Sequence, residues 1–285
     1  MPNTAVMWIR DGVLVDRMHI NPVAFAYAMW IFCNPAERRR TTLENLISFG
    51  FAKSGFSCAE KMRMYNSECE NILSQVDAAA DFYNALVSKA ASDARYFDGA
   101  PELLRDLDSG GIKNFITSAV EQNILDEWLL GQQGREIADY LYEVLGRREN
   151  FSKGRDHFEH VSRLGNKTIY YVADAISEIQ TGSRYSQDYN IVPVGFGNVI
   201  SVERVLEAVE YVKQSLRACA PNPLLLSNQV QSAQLDPTKI IVPDQKAVQL
   251  SLTQAGAQQV VEGTGASLMQ NLRHYFEGQS LLQPS

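Results

Sequence analysis

The chain has 285 residues, of which 45% are hydrophobic and 21% charged, enough to bury a core and to form one domain with an elaboration, or two domains. Its net charge of -7 argues against a generic nucleic-acid binder, which carries a basic face, and no run approaches the ~18 apolar residues of a membrane span. The opening Met-Pro-Asn-Thr-Ala lacks the basic and apolar pattern of a secretory signal. Cys33, Cys58, Cys69 and Cys219 show neither Cys-x-x-Cys spacing nor nearby histidine pairs, so zinc and disulfides are not expected and a cytoplasmic location is.

The first element is the apolar run Ala5-Val6-Met7-Trp8-Ile9, which reads as a buried strand ended by the tight turn Asp11-Gly12. An acid at the C-terminal end of a strand is well placed for chemistry, because open α/β sheets bind ligands there. The stretch Ile9-Arg10-Asp11-Gly12-Val13-Leu14-Val15-Asp16 resembles the first motif of the haloacid dehalogenase-like (HAD) hydrolases, Asp-x-Asp-Gly-(Thr/Val)-Leu-x-(Asp). In that family the first aspartate is the nucleophile that becomes an aspartyl phosphate, and the second is the general acid/base. The second falls on Asp11. The first falls on Ile9, whose side chain has no lone pair with which to attack phosphorus or hold a metal.

Residues 17–95 read as helical. Pro22 starts a helix with apolar positions Val23, Ala26, Tyr27, Trp30 and Ile31, stopped by Asn34-Pro35. Thr42 precedes a second helix through Leu43, Leu46 and Ile47, Ser57 with Glu60 is a capping-box signature for a third, and Asp77 to Ala90 supplies a fourth. In the family, a helical insert directly after the first motif is a cap that closes over the site and selects the substrate. Glu37-Arg38-Arg39-Arg40 could meet a phosphate-bearing ligand, but three adjacent arginines point in different directions around a helix, so a solvated surface is the preferred reading.

From Tyr96 helix and strand alternate. Ala100-Pro101-Glu102-Leu103-Leu104 begins a helix ended by Gly110-Gly111, and Ile112 to Ile116 is a strand leading to Thr117-Ser118. This phrase resembles the second family motif, in which a strand-end hydroxyl hydrogen-bonds a phosphoryl oxygen, and the resemblance assigns that role to Thr117. Thr117 could equally cap a helix beginning near Val120. Residues 123–150 read as helical, with Trp128, Leu129, Ile137, Leu141 and Leu145 as core positions.

Lys153, in Phe151-Ser152-Lys153-Gly154-Arg155-Asp156-His157-Phe158, matches the lysine of the third motif, whose charge offsets that of the phosphoryl group. The family's proline is absent here. His157 and His160 read as structural or exposed. Thr168 to Val172 is a strand running into Ala173-Asp174-Ala175-Ile176-Ser177-Glu178, which resembles Gly-Asp-x-x-x-Asp, the fourth motif. There carboxylates bind magnesium. The resemblance thus makes Asp174 and Glu178, with Asp11, the metal candidates, and Asp11, Thr117 and Lys153 the catalytic ones.

Ile191 to Val194 is a further strand. Gly195-Phe196-Gly197 lacks the third glycine and the acid of a dinucleotide turn. Val202, Val205, Leu206, Val209, Val212 and Leu216 stripe one face of a helix. Pro221, Pro223 and Ser227 to Gln234 read as a linker, Lys239 to Val242 as a short strand, and Leu268 to Phe276 as a helix.

The expected fold is α/β: a Rossmann-like parallel-sheet core (1–16 and 96–217), an inserted α-helical cap (17–95), and a linker with a C-terminal extension (218–285) dispensable for folding. The missing nucleophile favours a pseudoenzyme with a binding or regulatory role, toward a small phosphorylated metabolite or a protein partner, and with weak magnesium binding at most. The alternative is a magnesium-dependent phosphatase or phosphomutase acting on such a metabolite.

Overall fold

A computed structural model describes residues 3–34, 41–54, 56–68, 73–90, 94–219, 235–264 and 266–282. The Glu37–Arg40 run, Cys69 and the linker residues 221–234 lie outside the described residues.

The chain forms two compact units. One comprises Met1–Asp16, Arg95–Val199 and Asp244–Ser285; the other comprises Arg17–Ala94 and Ile200–Pro243. The first is built on a six-stranded sheet in the order β3-β2-β1-β4-β5-β6, with β1 Thr4–Ile9, β2 Lys113–Glu121, β3 Glu143–Arg147, β4 Thr168–Ala173, β5 Ile191–Asn198 and β6 Gln259–Gly263. Every pairing is parallel. A strand buried on both faces of a parallel sheet is apolar throughout rather than alternating, and Ala5, Val6, Met7 and Trp8 in central β1 are all fully buried.

Several elements differ from the sequence reading. The stretch 123–150 is not one helical region: α6 (Gln122–Leu130) and α7 (Gln132–Ile137), numbered after the five helices upstream, give way to the edge strand β3. Gly146 in β3 lies so close to α6 that a Cβ would sit 2.8 Å from the Gln122 Cα and 2.9 Å from the Val120 carbonyl oxygen. Strand β2 continues past Thr117 to Glu121, with a register irregularity between them, so Thr117 caps no helix; Ser118 Oγ instead accepts from the Val120 N–H at 3.2 Å. Gly195 and Gly197 lie inside β5. A Cβ on Gly195 would meet the Cβ atoms of Leu252 and Ala257 at 3.2 and 3.3 Å, so this glycine admits the helix Gln245–Gln254 to the sheet.

The C-terminal segment is part of this sheet unit. The helix Gln245–Gln254, strand β6 and the helix Ala266–Gly278 place Leu252, Val261, Leu268, Met269, Leu272 and Phe276 in the core around β1. Phe276 meets Trp8 edge to face at 5.9 Å. Lys239 to Val242, read as a strand, is instead the end of a single 3-10 turn, Pro237–Lys239, followed by residues without regular secondary structure.

The helical unit contains α1 (Ile20–Phe32), α2 (Leu43–Ala52), α3 (Cys58–Glu68) and α4 (Val76–Ala90). Thr42 caps α2 by accepting from the Asn45 N–H. Ser57 and Glu60 form a reciprocal capping box on α3: the Ser57 N–H donates to Glu60 Oε2 at 2.9 Å and the Glu60 N–H to Ser57 Oγ at 3.3 Å. The helix Val202–Cys219, assigned by sequence to the sheet core, packs on α1 and α4 in this unit. Its buried stripe Val205, Val209, Val212 and Leu216 joins the core of Val23, Tyr27 and Leu86. An amphipathic stripe says that a helix covers a core without saying which one.

Candidate functional site

Ile9 and Asp174 lie at the carboxyl ends of the neighbouring strands β1 and β4, and Thr117 lies within β2 beside Ile9. Ile9 closes β1 and is Thr117's register partner across β2, while Trp8 pairs with Val172 of β4, one residue before the sheet's last residue there, Ala173. This arrangement follows from the parallel topology, which brings the ends of β1, β2 and β4 side by side.

After Ile9 the chain turns sharply. The Val15 N–H donates to the Arg10 carbonyl at 2.8 Å and the Gly12 N–H to the Val15 carbonyl at 2.9 Å. Gly12 takes φ 95°, a left-handed conformation that glycine adopts without steric strain. The turn holds Asp11 beside Arg10, whose Nε donates to Asp11 Oδ1 at 2.8 Å and whose terminal nitrogen donates to Oδ2 at 3.0 Å. Arg10 is only 7% exposed, and its guanidinium lies 5.1 Å from the centroid of the Trp128 ring. Burial by itself would lower its pKa, but the Asp11 charge and hydrogen bonds outweigh that and raise it.

Thr117 is buried, and its hydroxyl lies 2.7 Å from His157 Nδ1. His157 comes from α8 (Arg155–Arg163), and Phe151 lies against its ring with centroids 4.7 Å apart. Burial pushes the His157 pKa down to about 4, with the Gly146 carbonyl drawing it partway back, so the ring is neutral at pH 7. With the proton on Nε2, Nδ1 accepts the Thr117 proton; with the proton on Nδ1, Thr117 accepts and keeps its own proton for a ligand oxygen.

Lys153 precedes α8 and forms an ion pair with Glu178 in the first turn of α9 (Ile176–Arg184). Asp174 follows β4 and is half-buried. Burial raises its pKa, the Glu178 charge raises it further, and Lys153 opposes both; Asp11 adds a smaller like-charge contribution. Asp11, Lys153, Asp174 and Glu178 therefore form one electrostatically connected group.

The donor set is poorer than the resemblance implies for a resident magnesium ion. Magnesium takes about six oxygen ligands at ~2.1 Å. Ile9 offers none, both Asp11 oxygens accept from Arg10, and Glu178 Oε1 accepts from Lys153. Glu178 Oε2 is buried without a hydrogen-bond partner, which with Asp174 leaves two carboxylates that water would have to complete around a cation, without a side-chain oxygen at position 9. No group of three or more His, Cys, Asp or Glu side chains able to hold a metal exists among the described residues.

Two participants were not legible in the sequence. Arg10 occupies a position that the resembling motif leaves open, and His157 carries no motif signal, since its pairing with Thr117 spans 40 residues.

No family model and no curated protein matches the chain. Solved structures do resemble it. A HAD-family hydrolase from Deinococcus radiodurans R1, with bound phosphate and sodium, is 16% identical with a TM-score of 0.57, covering 100% of this chain and 99% of that one. A hydrolase from Pseudomonas syringae is 16% identical with a TM-score of 0.54, covering 95% and 98%. A protein described as a predicted phosphoglycolate phosphatase from Haemophilus somnus 129PT is 14% identical with a TM-score of 0.51, covering 68% and 85%. The chain has the α/β Rossmann-like fold of the HAD hydrolases. No helix among the described residues is long and apolar enough to cross a membrane.

Proposed function

We propose that this chain is a HAD-like protein without aspartyl-phosphate catalysis, whose strand-end site serves to bind a small phosphorylated metabolite in a regulatory role. The observation that carries this reading is Ile9. It stands at the nucleophile position of the resembling motif, 6% exposed and packed into the sheet core. Covalent phosphoryl transfer needs a carboxylate there, and a nucleophile acts as a unit with its partners, so the remaining residues cannot run the route without it.

The binding role is supported by what remains. Lys153 supplies positive charge, and Thr117 can supply a hydroxyl donor in one of its two hydrogen-bonding states. The phosphate in the Deinococcus radiodurans structure belongs to that protein; the shared fold makes a phosphorylated ligand the first class to test here. The helical unit, read as a cap, would select among such ligands.

The test is Ile9→Asp. If Asp11, Thr117, Lys153 and Asp174 retain the geometry of the family, the substitution should create metal-dependent turnover of an aryl phosphate that the wild type lacks, and adding Asp11→Ala should remove it. Wild-type turnover above the buffer blank and equal to that of Ile9→Asp would defeat the proposal.

A further inference from the structure

The Arg10 side chain is more firmly built in than a chance surface ion pair. Its two hydrogen bonds to Asp11 are bidentate, the geometry in which a guanidinium binds a carboxylate most strongly. The platform beneath it is itself tied together. The Trp128 indole N–H donates to Gln133 Oε1 at 3.3 Å, and the Tyr96 hydroxyl donates to the Gln133 carbonyl at 2.7 Å. Lys153 is paired with Glu178, their side chains 17% and 13% exposed. Each of two carboxylates thus has its own cation, supplied by the chain.

We infer that Arg10 and Lys153 replace a divalent metal as the positive charge of this site, so that it engages a phosphate group without magnesium. The inference rests on the binding role proposed above for the ligand, but not for the metal. A magnesium ion that uses Asp11 would have to displace a guanidinium held by two charge-assisted hydrogen bonds and also shed part of its own water shell, which it does reluctantly.

The experiment is calorimetric titration of the intact protein with magnesium chloride alone, and with inorganic phosphate in either magnesium or EDTA. For the wild type, magnesium alone should give no binding heat, and the phosphate Kd should agree to within about twofold in magnesium and EDTA. Arg10→Met keeps an apolar stem over Trp128 and removes both Arg10 hydrogen bonds to Asp11. In that variant magnesium binding should appear, and phosphate should bind about tenfold or more tightly with magnesium than with EDTA, one lost charged partner being worth roughly that factor. Micromolar magnesium binding by the wild type, or phosphate binding that needs magnesium, would overturn the inference. Should phosphate bind under neither condition, the binding role and the phosphate half of this inference both fail, and the magnesium titration of the wild type still decides whether the chain's own cations take the metal's place.

Discussion

The Thr117 hydroxyl and the His157 Nδ1 lie 2.7 Å apart with both side chains shielded from solvent. His157 therefore decides whether the Thr117 hydroxyl donates to the ring or to a ligand. The ring's neutrality has a measurable consequence. Its pKa is about 4 in the folded protein against about 6.5 in an unfolded chain.

Because the unfolded chain takes up the proton first, this stability contribution is fully present above pH 6.5 and is lost as pH falls. The loss between about pH 6.5 and about 4 is on the order of 3 kcal/mol. Urea midpoints at pH 7 and pH 5 should separate more in the wild type than in His157→Gln. Equal separations would contradict a neutral buried ring.

The Lys153 and Glu178 pair should reveal itself through stability. Lys153→Met leaves Glu178 half-buried without its cation, and removing one partner of a largely buried pair costs about 3 kcal/mol. Lys153→Met with Glu178→Gln should recover most of that loss. A single variant as stable as the wild type would show that the pair is solvated.

The C-terminal segment should be indispensable to the sheet unit. Deleting 244–285 strips β6 from the edge of β5 and removes Leu268, Leu272 and Phe276 from the core. Losing several buried side chains at roughly 1.5–3 kcal/mol each exceeds the stability of an ordinary domain. The truncated protein should lose its cooperative melt and aggregate. A cooperative melt near the wild-type Tm would contradict the assignment of this segment to the core.

In the helical unit, Ser57→Ala removes one half of the capping box and should cost about 1 kcal/mol. The Ser57 hydroxyl and N–H also hold the Glu60 carboxyl below its usual pKa. A chemical-shift titration of Glu60 should therefore move upward in the same variant. No movement would mean that the box does not form in solution.

The parts of this fold that were legible in the sequence are those with a local physical signature. The apolar run before Asp11, the Ser57 and Glu60 spacing, and the apolar run before Asp174 announce a strand, a helix start and a second strand without reference to the rest of the chain. Strand β3 was missed because Val144-Leu145-Gly146 is too short to show a period. Strand β6 was missed because Val260 and Val261 sit between polar residues and a glycine in a glutamine-rich tail. The Val202–Cys219 helix was legible as an amphipathic helix, but its partners α1 and α4 precede it by more than a hundred residues. Arg10 and His157 act through single side-chain contacts, and such pairings leave no pattern in a sequence.

The central claim is that Ile9 removes phosphoryl transfer from this fold, and wild-type turnover tests it most directly. The purified protein, incubated with an aryl phosphate and a panel of sugar phosphates in magnesium, should release phosphate at the rate of the buffer blank. Robust magnesium-dependent release that is abolished by Asp174→Ala would contradict the claim, and would mean that another group does the work of the missing aspartate.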